Sequence, residues 1–249
     1  MKEKILMTHI YWGDPSGEFS LKLAKTLDTS GADILEIGVP YTDPICDGDV
    51  FQRACSRALA NGATPFKVID GIKQLRNIGV TKPIYLTSYY GPIFKIGADS
   101  FVKRAVEARV NGLIVPDILL EEQGELRKAC DRKHLSLIQF ATIYSTRERL
   151  KKICQASRDF IYCISLPGVT GDRVNDKDKL KKLIQQIQSI TSKKIYVGFG
   201  IDSSQKAKEI LGFGSEGVIV GSAIIRSYDK EGIKGVDAFI KDLKAATIV

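Results

Sequence analysis

The sequence predicts an α/β fold of the single (β/α)8, or TIM-barrel, class. The chain is 249 residues long, the usual length of one such barrel. Short apolar runs alternate with amphipathic segments eight times along it. No G-x-G-x-x-G follows the first apolar run, which removes the main argument for an open dinucleotide-binding sheet. No linker or low-complexity stretch divides the chain, so residues 1–249 read as one domain. A chain of this size buries roughly 70–75% of its unfolded surface and needs no disulfide or metal staple.

The strand candidates are 5–11, 34–38, 84–89, 112–115, 136–141, 160–165, 194–198 and 217–220, each a short run rich in apolar residues. Helix-like segments lie between them at 18–30, 65–77, 99–108, 121–133, 177–190 and 203–211. Barrel chemistry sits at the carboxyl ends of the strands, so the residue that follows each strand matters most. After the first comes Trp12-Gly13-Asp14-Pro15, a turn placed to close one side of a pocket. After the second come Gly38, Pro40 and an acidic loop. Tyr89 and Tyr90 end the third, Pro116-Asp117 the fourth and Thr142 the fifth. The sixth runs into Ser165-Leu166-Pro167-Gly168-Val169-Thr170-Gly171, the seventh into Gly198-Phe199-Gly200, the eighth into Gly221-Ser222.

The second strand carries the strongest chemical signal. Ile34, Glu36 and Gly38 share one face, and Leu35, Ile37 and Val39 the other. A carboxylate inside such a run must find a partner or stay neutral, because desolvation disfavours its charge. The loop beyond it adds Asp43, Asp47 and Asp49 among Pro44, Cys46 and Gly48, the composition of an active-site rim. The glycines after strands seven and eight suit an anion. Backbone N–H groups of Gly200, Gly221 and Ser222 can converge on a phosphate at the positive end of a short helix.

Composition excludes several classes. Five cysteines without a C-x-x-C pair argue for a reducing compartment and against zinc. His9 lies in an apolar strand and His134 precedes one, so core or surface roles are expected of both, and no metal site. The net charge of +8 comes from 37 basic and 29 acidic residues whose lysines spread over helix faces, so no nucleic-acid partner is expected. No apolar run reaches membrane-spanning length and the first residues are no signal peptide, which predicts a cytoplasmic protein. No lysine sits at the interior ends of strands five to seven, against a Schiff-base aldolase. Acids and histidines do not recur across strand ends, against a metal-dependent one.

Glu36 to Gln52 resembles the signature of the tryptophan synthase alpha subunit family, close to E-[LI]-G-[VI]-P-[FY]-S-D-P-x-A-D-G-P-x-I-Q. It departs at Thr42, Cys46, Asp49 and Phe51. Four of the further similar motifs begin at Tyr89, Gly112, Gly168 and Val197, and a last one runs from Val220 through Gly221-Ser222-Ala223 to Ile224, so the resemblance spans nearly the whole chain. It implies cleavage of indole-3-glycerol phosphate to indole and glyceraldehyde 3-phosphate. It also implies an alpha-beta-beta-alpha complex whose beta subunit carries pyridoxal phosphate, with no cofactor in this chain. By the resemblance, Glu36 protonates the indole ring carbon and Asp47 receives or orients the indole N–H. Tyr89, Tyr162 and Thr170 match pocket positions, and Gly171, Phe199, Gly200, Gly221 and Ser222 the phosphate end. Asp43 and Pro44 match the loop that closes and meets the partner.

Departures from the family's pattern leave two readings open. Trp12 replaces a small residue, Gly91 an asparagine, Leu119 a proline and Asp49 a proline. Leu166 and Pro167 interrupt the usual Ser-Arg-x-Gly-Val-Thr-Gly loop, and the family's N-terminal helix is short or missing. An added carboxylate at Asp49 would make ionising Asp47 costlier. One reading is a working lyase. The other is a chain with weakened cleavage, kept as an allosteric activator of the beta subunit.

Overall fold

The computed structural model describes residues 3–164, 173–198 and 200–248, with backbone alone for 173–176. Eight parallel strands close a barrel in chain order, with the last paired to the first. They are β1 (Ile5–Tyr11), β2 (Ile34–Gly38), β3 (Ile84–Thr87), β4 (Gly112–Ile114), β5 (Ser136–Thr142), β6 (Phe160–Ile164), β7 (Lys194–Gly198) and β8 (Gly217–Val220). The helices used below are α1 (Gly17–Thr29), α2 (Asp49–Ala60), α3 (Pro65–Asn77) and α4 (Tyr90–Ile96). Further along lie α5 (Ala98–Glu107), α6 (Gly124–Arg132), α7 (Arg147–Ala156), α8 (Arg173–Gln188), α9 (Ser204–Gly212) and α10 (Ser222–Ala245). This is the predicted (β/α)8 barrel. No helix precedes β1 among the described residues; Glu3 instead bridges Ile248.

Strand alternation divides the core in two. Leu6, Ile10, Leu35, Ile37 and Leu86 face outward and pack under the helices. Met7, Ile34, Tyr85, Ile114, Phe160, Tyr196 and Ile219 fill the lumen below the strand ends. Parallel pairing sets His9 beside Glu36 and Tyr11 beside Gly38, and Gly38 in turn beside Thr87. These residues form the next layer up, where the barrel opens.

β3 stops at Thr87 rather than running to 89, because Tyr89 is the N-cap of α4. Trp12 does not close a pocket. It is buried against α3, where a Cβ on Gly71 would lie 2.1 Å from the Trp12 ring. The turn that carries it is held by Asp14, whose carboxylate accepts two hydrogen bonds from Arg57 of α2 at 2.6 and 2.8 Å. Tyr228 of α10 donates to the same buried carboxylate. Among the described residues, no helix is long and apolar enough to cross a membrane.

Candidate active site

A cavity of about 780 Å³ opens at the carboxyl ends of the strands. Glu36 stands on one wall, fully buried on β2. Its Oε1 accepts a 2.6 Å hydrogen bond from the Thr87 hydroxyl, while Oε2 has no hydrogen-bond partner among the described residues. Burial pushes its pKa up to about 8; the Thr87 hydroxyl pulls the other way, and the negative charge of Asp47 adds to the rise. Glu36 therefore holds its proton at neutral pH. It is an acid poised to give it up near pH 8.

Asp47 approaches from the loop between β2 and α2. The Tyr11 and Tyr89 hydroxyls both donate to its Oδ2, at 2.6 and 2.9 Å. Burial raises its pKa and these two hydroxyls oppose the rise. Asp49 is not a cause of that shift. It occupies the first turn of α2, where a carboxylate interacts favourably with the helix dipole. Tyr89 is buried behind Asp47 rather than on the cavity wall, and its oxygen also accepts from the Cys46 N–H at 3.1 Å. Tyr41 stacks on it, and the Tyr41 hydroxyl fills the space that a Cβ on Gly91 would need, at 2.5 Å.

Tyr162 lines the cavity from β6, its pKa raised well above the ordinary value by burial and by Glu36. Gly200, Gly221 and Ser222 line the far end. Ser222 begins α10, whose first N–H groups have no intrahelical acceptor. Arg226, one turn further on, reaches the same cavity and adds a positive charge there. The Phe51 ring lies over Gly221, 2.3 Å from the position of a Cβ. Asp43 and Pro44 stay on the exposed rim, their carbonyls accepting from Ile45 N–H at 2.9 Å and Asp47 N–H at 3.0 Å. Leu119 is 60% exposed on the loop after β4. Thr170, Gly171 and Phe199, together with Leu166 and Pro167, lie outside the described residues.

A core or surface role was expected of His9, yet it sits on the cavity wall beside Glu36, with Nδ1 3.5 Å from Oε1. Nothing local in the sequence marks it; its partner is supplied by strand pairing across 27 residues. Tyr11, Thr87 and Arg226 were equally unmarked, and Phe51 was noted only as a departure from the family signature. Among the described residues, no cluster of three or more His, Cys, Asp or Glu could hold a metal ion.

Comparison with known proteins fits this geometry. The profile of the tryptophan synthase alpha chain family matches residues 1–247. The chain belongs to that family. The tryptophan synthase alpha chain of Arabidopsis thaliana is 38% identical over 248 residues, covering 98% of this chain and 90% of its own. That of Rippkaea orientalis is 39% identical over 245 residues, 97% of this chain and 91% of its own. A structure of Mycobacterium tuberculosis tryptophan synthase superposes with a TM-score of 0.92 at 30% identity, covering 99% of this chain and 93% of that one. The alpha subunit of Legionella pneumophila gives 0.90 at 30% identity, with 98% and 92% covered.

Proposed function

We propose that this chain cleaves indole-3-glycerol phosphate to indole and glyceraldehyde 3-phosphate, as the alpha subunit of a complex with a pyridoxal-phosphate beta subunit. The observation that carries the proposal is the pairing of a neutral, proton-bearing Glu36 with a hydroxyl-held Asp47 in one cavity. A retro-aldol cleavage without metal or Schiff base needs that division of work. Glu36 gives its proton from the unpartnered Oε2 to the ring carbon that bears the glycerol chain. Asp47 stabilises the positive charge this leaves on the indole N–H. The hydroxyl on the adjacent chain carbon then loses its proton to Glu36, its oxygen becomes the aldehyde, and the carbon–carbon electron pair returns to the ring. Glu36 ends as it began. The glycine-lined end, with Arg226, takes the phosphate.

The departures at Trp12, Gly91 and Asp49 leave this pair intact. Trp12 is turned into the α3 interface, Gly91 makes room for Tyr41, and Asp49 lies in the first turn of α2. These placements, with family membership, favour a working lyase over a chain kept only as an activator. The test is indole release, measured with and without a beta subunit. Glu36→Gln and Asp47→Asn should each lower it about 10²–10⁴-fold. Turnover like that of the unmodified chain in either variant would remove the assignment. Failure of the chain to co-purify with a beta subunit would remove the partnership.

A further inference from the structure

The His9 imidazole is more constrained than a packing residue needs to be. Phe51 packs against it at 4.7 Å and Tyr11 at 5.2 Å between ring centroids, both tilted, so the imidazole is held from two sides. Gly38 gives it clearance, since a Cβ there would lie 3.1 Å from Nε2. Held this way, Nδ1 points at Glu36 Oε1, 3.5 Å away, and Nε2 is buried without a hydrogen-bond partner among the described residues. Glu36 Oε2 is orphaned in the same cavity. Two such atoms on neighbouring side chains are unusual in a finished core.

We propose that His9 is a positioning residue for Glu36, its Nδ1–H supporting the carboxylate that Glu36 becomes on delivering its proton to the substrate. The inference rests on the function proposed above, in which Glu36 handles the substrate's protons. Oε1 already accepts from Thr87, so the proton for delivery sits on Oε2. When it leaves, charge develops on a carboxylate with no cation beside it among the described residues. The 3.5 Å contact then shortens into a charge-assisted hydrogen bond, as such contacts do on reaching the reactive complex. His9 stays neutral in the resting protein because burial lowers its pKa to about 3. The other ionisable groups facing this cavity are Tyr11 on β1, Cys46 and Asp47 on the loop after β2, Asp49 in the first turn of α2, Arg226 on α10, and Tyr162 on β6, whose hydroxyl also pulls the Glu36 pKa down. Among the described residues, none of them forms an ion pair with His9.

The chain has two histidines, His9 and His134, so imidazole nitrogen NMR of the full-length protein is readable, and His134→Gln assigns the signals. The His9 nitrogens should shift with the ionisation of Glu36, near pH 8, and that step should vanish in Glu36→Gln. In the indole-release assay with indole-3-glycerol phosphate, His9→Phe should lower kcat about tenfold with KM little changed. It should also move the alkaline limb of the pH profile up by about one unit, because losing a donor to the carboxylate raises the Glu36 pKa. His9→Asn keeps an N–H donor and should restore most of kcat and the position of the limb. His9 signals blind to Glu36, a limb that stays or falls in His9→Phe, or a loss carried by KM would each overturn the proposal. If the unmodified chain releases no indole, the proposed function falls, while the NMR titration still decides the pairing.

Discussion

Asp47 shows how a single side chain is tuned by its neighbours. Burial raises its pKa, and two tyrosine hydroxyls donating to one oxygen oppose the rise. Tyr89→Phe removes one of them and leaves the Cys46 N–H without its acceptor. The acidic limb of the kcat/KM profile, which reports Asp47 ionising, should then move up by about one unit. An unmoved limb would assign it to another group. Glu36 and Asp47 were legible in the sequence because a carboxylate within an apolar run, followed by an acidic Gly/Pro loop, has few bland explanations. His9 was not. Its meaning depends on register, which sets it against Glu36 and which no window of sequence displays.

At the scale of elements, the strands were the easiest to read, since burial on both faces leaves nearly uninterrupted apolar runs. Their ends were harder, because caps and turns decide them. α6 begins at Gly124 rather than 121, since a turn closed by the Glu122 N–H to the Leu119 carbonyl at 2.9 Å precedes it. Trp12 is the clearest case of a residue read wrongly through its position at a strand end. Its ring lies on Gly71, a close approach that fixes how the first turn sits on α3. Gly71→Ala should force that ring aside and cost about 1–3 kcal/mol in denaturant unfolding. The effect should shrink when Trp12→Leu is added, because the contact that clashes is gone. Additive losses in the double variant would place the strain elsewhere.

The whole molecule carries the two buried groups as a pH dependence of its stability, with signs that can be separated. Glu36 has its pKa raised from 4.5 to about 8, and His9 has its own lowered from 6.5 to about 3. Above pH 6.5 His9 is neutral folded and unfolded, so Glu36 acts alone. The unfolded chain has released that proton and the folded one keeps it, so stability falls as pH rises towards 8. Between 4.5 and 6.5 the unfolded chain loses a proton at Glu36 while gaining one at His9, and the two slopes oppose each other. Below 4.5 His9 acts alone, and stability falls with falling pH down to about 3. Glu36→Gln replaces the acid with a neutral side chain of the same shape and should abolish the alkaline decline. Its unfolding free energy from denaturant titration should therefore gain on that of the unmodified chain between pH 6.5 and 8, at about 1.4 kcal/mol per pH unit. Parallel curves for the two proteins would mean that Glu36 is ionised in the folded state over this range and carries no raised pKa.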